Sequence, residues 1–597
     1  MARQFATALV AVSCVAALSV HAQDDAPDFS LSKKLIEYGW DVPSPDYVRE
    51  HIREMERRPF DGLIFKLHGG GKVLTPTPWD PAQFAQDYED VQQIAWDRFT
   101  DNFVIMWAAS DQDWFNDEHW EAIVHNARLM AKAARLARCA GICFDAEPYG
   151  TNPWLYAKAA HRDTKTFEEY HAIVRKRGAQ FIQAIEAELP APEILTFFLM
   201  AYAGPVCKPM DPQTRVEKLS QMHYGLLAAF LEGMLEGSGP DTRFHDGNES
   251  AYYYTQEAQY FQMYHHIMQR AQYAIDPALW DAYRAKVRVA QALYMDQYFG
   301  LRERKVLGHF MTPQERPMWF EHNAYWALLS SDKYVWCYSE KMNWWEDRDV
   351  PRGAEDALRA ARSKYKAGQP LGFDLAPLVA DASMRQRESL ANRLEDRSAE
   401  IPQLAAGTAA PVIDGQLDDA AWQAVAPLED FLPVASAPNP LKVATRARVM
   451  WNKECLFVAF HCEEPNTKGM YVFGDNRDDY VFSGEVVELM LEVGKASAYC
   501  YHFAVNPKGV FWDGTHSNGT LDTGYNPDWA CAAHIDAGAW TVEMAIPWAA
   551  FDVTPRAGGV IRANLFRERA RQQELSAWSP PVTIFLEPER FGAWTLK

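Results

Sequence analysis

Three short acidic clusters carry the residues best suited to chemistry. Asp145 and Glu147 lie in Gly141-Ile-Cys-Phe-Asp-Ala-Glu-Pro-Tyr-Gly150, Asp246 and Glu249 in Arg243-Phe-His-Asp-Gly-Asn-Glu249, and Glu340 in Tyr334-Val-Trp-Cys-Tyr-Ser-Glu340. Each cluster follows an apolar run of strand length, and Asp41 follows a further one, Leu35 to Trp40. Two facing carboxyls can divide acid and base work, one protonating a leaving oxygen while the other attacks or activates water. Taken singly, each acid is equally well explained as a cap or as the ion-pair partner of Lys66, Arg243 or Lys341. Acting together, they need a scaffold that brings several strand ends to one rim.

The segment 31–372 supplies such a scaffold, because apolar strand, polar loop and amphipathic helix alternate along it. Strands are expected at Leu35 to Trp40, Gly62 to Leu67, Phe103 to Trp107, Gly141 to Phe144, Ile194 to Met200, Arg243 to His245 and Tyr334 to Tyr338. The seventh is either Val289 to Met295 or Val306 to Met311. Ser44-Pro45 opens one helix with Val48, Ile52 and Met55 on one face, and Thr166-Phe-Glu-Glu169 is a capping box opening another. Eight β/α units predict a closed (β/α)8 TIM-like barrel, whose chemistry sits at the C-terminal strand ends. Glu147 is then the first candidate for proton donor. Asp246, nearer to it in strand order, is the expected second catalytic carboxylate, and Glu340, which ends the opposite strand, is the alternative catalytic acid or a substrate-binding residue. Trp40, Asp41, His68, Trp107, Asp145, Tyr149, Tyr202, His245, Glu249, Trp344 and Trp345 are the expected substrate-binding residues, since flat rings with polar neighbours suit sugar faces. His68-Gly-Gly-Gly71 resembles a lipase oxyanion loop, but the chain has no GxSxG, which excludes that chemistry.

Composition narrows the partners. With 59 Lys and Arg against 80 Asp and Glu, the net charge of −21 argues against a phosphate backbone. A hydrophobic fraction of 48% and an aromatic fraction of 13% mark a folded chain. Arg3, the apolar run Ala6 to Val20 and the small residue Ala22 read as a signal peptide over 1–22, which predicts a periplasmic or extracellular protein. Cys14 lacks the setting of a lipoprotein cysteine, and no later apolar stretch reaches about 20 residues. The other cysteines show neither CxxC nor Cys/His spacing, so no metal site is expected, and buried thiols are their simplest reading.

Residues 373–410 read as a helical tail and linker. Beyond them, over 411–597, short alternating apolar runs separated by Gly, Pro, Asn and Asp predict an antiparallel β-sandwich. Val412-Ile-Asp-Gly-Gln-Leu-Asp-Asp-Ala-Ala-Trp422, Glu485-Val-Val-Glu-Leu489, Trp540-Thr-Val-Glu-Met-Ala-Ile-Pro-Trp548, Trp578-Ser-Pro580 and Pro588-Glu-Arg-Phe-Gly592 follow in the order of carbohydrate-binding module family 9, which this region resembles. The resemblance implies a sandwich that, in characterised members, grips sugars between aromatic rings and often holds structural calcium. Trp422 and Trp548 fall in framework motifs, leaving Trp512 and Trp529 as the stacking candidates. Ala146-Glu147-Pro148 is similar to the Asn-Glu-Pro of the large glycosidase clan with catalytic Glu on strands four and seven, although Ala146 replaces the Asn and no Glu ends the seventh strand. The reading is an exported glycoside hydrolase that requires no cofactor. A polysaccharide lyase and a non-catalytic glycan-binding protein with an inactive barrel are the alternatives.

Overall fold

The computed structural model describes residues 33–108, 112–149, 151–302, 306–391, 394–435, 440–493, 499–517 and 520–597. The expected leader, with Cys14, lies outside them. Two compact units divide the chain: the described residues up to Leu301 with Pro313–Ala376, and Arg302–Thr312 with Pro377–Lys597.

In the first unit, β1 (Lys34–Gly39), β2 (Gly62–Phe65), β3 (Phe103–Trp107), β4 (Gly141–Asp145), β5 (Glu193–Thr196), β6 (Arg243–Asp246), β7 (Val287–Val289), β8 (Gln291–Tyr294) and β9 (Tyr334–Ser339) form one parallel sheet ordered β7-β6-β5-β4-β3-β2-β1-β9-β8. β7 and β8 are two halves of one barrel strand broken at Ala290, whose N–H donates to Asp246 O at 2.8 Å. The first half pairs with β6 and the second with β9, so Val287 to Tyr294 supplies the seventh strand. The alternative seventh strand is corrected: Leu307–Phe310 is a short 3-10 turn. The helices start where expected. Pro45–Met55 buries Val48, Ile52 and Met55, and the Thr166/Glu169 capping box opens Phe167–Glu186. Strand alternation sends Tyr334, Trp336 and Tyr338 to the barrel interior, as their ring contacts with Phe103, Phe197 and Tyr38 show.

The second unit pairs two sheets. β10 (Ser398–Ile401), β11 (Leu432–Pro433), β12 (Thr445–Trp451), β13 (Cys455–Glu463), β14 (Glu485–Glu492), β15 (Tyr499–Val505), β16 (Phe511–Ser517), β17 (Thr520–Asp522), β18 (Ala530–Asp536), β19 (Ala539–Pro547), β20 (Val560–Arg569), β21 (Glu574–Ala577) and β22 (Gly592–Leu596) follow in chain order. One sheet runs β10-β22-β20-β14-β15-β16-β17, with β21 and β11 beside β20, and the other runs β12-β13-β19-β18. Val458, Phe460, Leu489, Phe503, Val542, Leu565 and Trp594 fill the space between them. The Val412 to Trp422 motif folds onto one acid. Glu543 accepts from Asp414 N at 2.9 Å, Gly415 N at 2.7 Å and Trp422 Nε1 at 2.6 Å. Gly415 has φ +90°, and a Cβ there would lie 2.6 Å from the backbone of Ala533, so only glycine fits. The segment read as linker is corrected in part. Ala376–Ala391 is helical, but Ser398–Ile401 is an edge strand parallel to β22, missed because only Ile401 of its four residues is buried.

Candidate active site

β4 ends on Asp145, fully buried, whose Oδ1 accepts the Glu147 N–H at 2.9 Å. Glu147, half-buried, takes a hydrogen bond from the Tyr149 hydroxyl. After β6 the chain turns through Asn248 in the left-handed region and begins a 3-10 turn on Glu249, whose Oε2 accepts from the Tyr202 hydroxyl at 3.0 Å. These three acids share one electrostatic field. Burial, then the charges of Glu147 and Glu249, push the Asp145 carboxyl up to about 8. Burial and the Glu147 charge push Glu249 up to about 7, against the stabilising Tyr202 hydrogen bond. Burial and the same acids also raise the phenols of Tyr149, Tyr202 and Tyr224. Like charges in a poorly hydrated site keep protons on carboxyls near neutrality, which acid catalysis needs.

Beneath the acids the barrel is plugged by rings. Tyr338 stacks on Tyr38, Tyr252 and Tyr294 at centroid distances of 5.6, 5.7 and 5.5 Å, and Phe197 stacks on Trp336 at 4.4 Å. Trp107 ends β3 opposite Asp145 in the parallel register, half-buried at the rim. Glu340 Oε1 accepts from Tyr294 at 2.9 Å, while its own N–H donates to Asp296 at 2.8 Å. The charges of Glu340 and Glu147 both reach Tyr338, so Glu340 faces the same rim. Trp40 stands 65% exposed with Lys341 Nζ 4.9 Å from its ring centroid, and Tyr149 and Tyr202 are 50% and 42% exposed. The rim therefore brings together Trp40, Trp107, Asp145, Glu147, Tyr149, Tyr202, Glu249 and Glu340. Tyr38, Tyr224, Tyr252, Tyr294 and Tyr338 were missed by motif reading. The period-two pattern in Tyr334-Val-Trp-Cys-Tyr338 carried the signal for Tyr338, whereas the loop residue Tyr224 has none.

Several expected site residues do other work. Asp246 is fully buried and accepts four backbone N–H groups, three from Leu199, Met200 and Ala201 in the loop after β5 and one from Asn248 in its own turn, so all four of its lone-pair directions are used. His245 lies inside the barrel below the rim, 2.7 Å from Glu193 and edge-on to Tyr334. Trp344 is buried against Phe60, and Trp345 packs on Phe60 and Phe99, because indole area serves a core as readily as a sugar. Asp41 accepts the Trp344 N–H at 3.0 Å and sits with buried Glu37; burial raises it to about 6. His68 is exposed and pairs with Asp46 at 3.0 Å. In the second unit Trp512 and Trp529 are each only 6% exposed. Trp512 packs on Phe482 and His502, and Trp529 donates to Asp513 while packing on Phe503.

On the sheet face turned away from the sandwich core, His502 Nε2 lies 2.7 Å from Glu488, and its Nδ1 lies 3.2 Å from His516 Nε2. Burial lowers His502 to about 3 and His516 to about 4, and raises Glu488 and Glu568 to about 8. Burial thus favours the uncharged forms along this row. Exposed Tyr480 stands beside Phe482 at its edge.

Residues 413–597 match the family described as Carbohydrate family 9 binding domain-like. The second unit carries a family 9-like domain. Solved structures with a similar fold include a family 9 carbohydrate-binding module from Caldicellulosiruptor kristjanssonii in complex with glucose, 16% identical over 34% of this chain and 96% of that one, TM-score 0.24. They also include a glycoside hydrolase family 5 enzyme from Prevotella bryantii, 8% identical over 56% and 98%, TM-score 0.33. A sugar phosphate isomerase/epimerase from Parabacteroides distasonis is 13% identical over 57% and 100%, TM-score 0.28. No curated protein matches the chain. A barrel hosts many chemistries, so the reaction must be argued from the rim, with the family 9-like domain as context. Among the described residues no helix is long and apolar enough to cross a membrane, and no group of three His, Cys, Asp or Glu is arranged to hold a metal.

Proposed function

We propose that the chain is an exported glycoside hydrolase acting on a poly- or oligosaccharide, with Glu147 and Glu249 as its carboxyl pair. The observation that carries this reading is the rim cluster of Asp145, Glu147 and Glu249, in which Tyr149 donates to Glu147, Tyr202 to Glu249 and the Glu147 N–H to Asp145, with burial raising the Asp145 and Glu249 carboxyls. Glu249 donates its proton to the glycosidic oxygen, the bond to the anomeric carbon breaks, and the leaving sugar departs as an alcohol. Glu147 attacks the anomeric carbon or deprotonates the attacking water; one water is consumed, and Glu249 regains a proton. Asp145 holds the backbone of Glu147 in place. The family 9-like domain supplies the glycan-binding module of this reading. Export follows from the 1–22 leader.

The test is release of new reducing ends from neutral, amino and acidic polysaccharides by the full chain, beside Glu147→Gln and Glu249→Gln. Each variant is expected to lose about a thousandfold on natural substrates, the scale of a lost acid or base. With a 2,4-dinitrophenolate leaving group, which needs no proton, Glu249→Gln recovers most of that loss and Glu147→Gln does not. Equal losses in both variants on both substrates would refute this division of roles. Silence across the whole panel with glycan binding retained would favour the inactive-barrel reading.

A further inference from the structure

A cavity of about 260 Å³ opens beside the acids, walled by Leu199, Met200, Leu219 and Met222 together with Tyr202 and Tyr224. Both tyrosines belong also to the carboxyl cluster. Tyr202 donates to Glu249, and the Tyr224 phenol lies in the field of Glu147, Glu249 and Asp145. The wall is built rather than incidental. Asp246 fixes the backbone of Leu199, Met200 and Ala201 through three hydrogen bonds of 2.7–3.2 Å. Gly225 lets the opposite side close, since a Cβ there would lie 1.9 Å from Leu219 O.

Resting on the hydrolase reading above, we infer that this cavity receives an aromatic group attached to the scissile oxygen, so that the substrate class includes aryl glycosides. The volume fits, because an apolar cavity of about 150 Å³ accommodates a benzene ring. Its chemistry fits an apolar occupant better than a second sugar. A pyranose brings several hydroxyls that must be paired on burial, whereas the polar atoms here are the His223 ring and two phenols, one of them committed to Glu249. The position sets the leaving side: Tyr202 both lines the cavity and touches the acid that protonates the leaving oxygen.

The probe is 4-methylumbelliferone, titrated into the full chain by fluorescence and again into Met222→Trp, Pro205→Trp and Met222→Ala. The two Trp variants fill the cavity from different segments and are expected to weaken binding at least about tenfold, the loss of one buried ring's contacts. Met222→Ala, which opens the cavity, stays within about threefold. Thermal melts accompany each variant, and a cavity-filling protein that remains folded decides the matter. No binding by the unaltered chain, or binding by both folded Trp variants as tight as that of the unaltered chain, overturns the inference. In parallel, kcat/KM is compared for 4-methylumbelliferyl and methyl glycosides of the same sugars. A fall in the aryl-to-methyl ratio in the Trp variants, with methyl glycoside turnover unchanged, supports the pocket; an unchanged ratio overturns it. Binding that follows the expected order while no glycoside is cleaved keeps the pocket and rejects the hydrolase.

Discussion

Glu249 and Asp145 titrate where most carboxyls have long been ionised, and each has a measurable consequence. Hydrolysis needs Glu249 protonated, so kcat/KM is expected to fall as pH rises through about 7, the value to which burial and Glu147 push it. A profile whose alkaline limb stays unchanged in Glu249→Gln would assign that limb to another group. Asp145 acts on stability. Its folded value of about 8 lies above the ordinary 3.8, so between those values the native state holds a proton the unfolded chain has lost, and stability declines as pH rises through that window. Asp145→Asn keeps the acceptor for the Glu147 N–H and removes the charge. Its melting temperature should match the parent's at pH 4 and exceed it at pH 8. An identical pH slope in both proteins would mean that Asp145 is ionised in the native state at no cost.

At the scale of single elements, the loop after β5 shows how one misread residue governs a site. From the sequence, Asp246 and Glu249 are equivalent acids after one strand; which one meets solvent depends on four backbone N–H groups delivered by distant turns and by Asn248. Asp246→Ala leaves those donors buried and unpaired, at about 1–3 kcal/mol each before relaxation. It should lower the melting temperature and also abolish 4-methylumbelliferone binding, because the loop is the cavity wall; Glu249→Gln should preserve both. Loss of activity without either effect would return Asp246 to the chemistry. The barrel strands were legible because period-two alternation and helix caps are local signals. The broken seventh strand was harder, since three residues on one side of Ala290 and four on the other barely exceed chance. Trp344, Trp345, Trp512 and Trp529 were misread for the opposite reason: residue type records the area of an indole, while only packing decides whether a sugar or a core takes it.

For the molecule as a whole, the division between its two units is the feature least visible in composition. Residues 398–404 are polar enough to pass for a linker, yet they complete the family 9-like sandwich. β10 pairs along β22, Trp451 Nε1 donates to Ile401 O at 3.1 Å, and the Trp451 N–H donates to Pro402 O at 3.1 Å, with Leu404 N returning a bond to Trp451 O at 2.7 Å. The family match begins only at residue 413, so a fragment cut at the family boundary loses an edge strand and strips several partners from Trp451 and β22. A fragment of 394–597 should therefore melt well above one of 411–597. Exposing Ile401's site and unpairing that ladder costs on the order of 3 kcal/mol, or about 10 °C for a domain of this size. Both fragments contain all the residues of the family match, 413–597, so glycan affinity measured below both melting points should agree between them. Equal melting temperatures would show that 398–404 is an appended strap and that the sandwich is complete from residue 411.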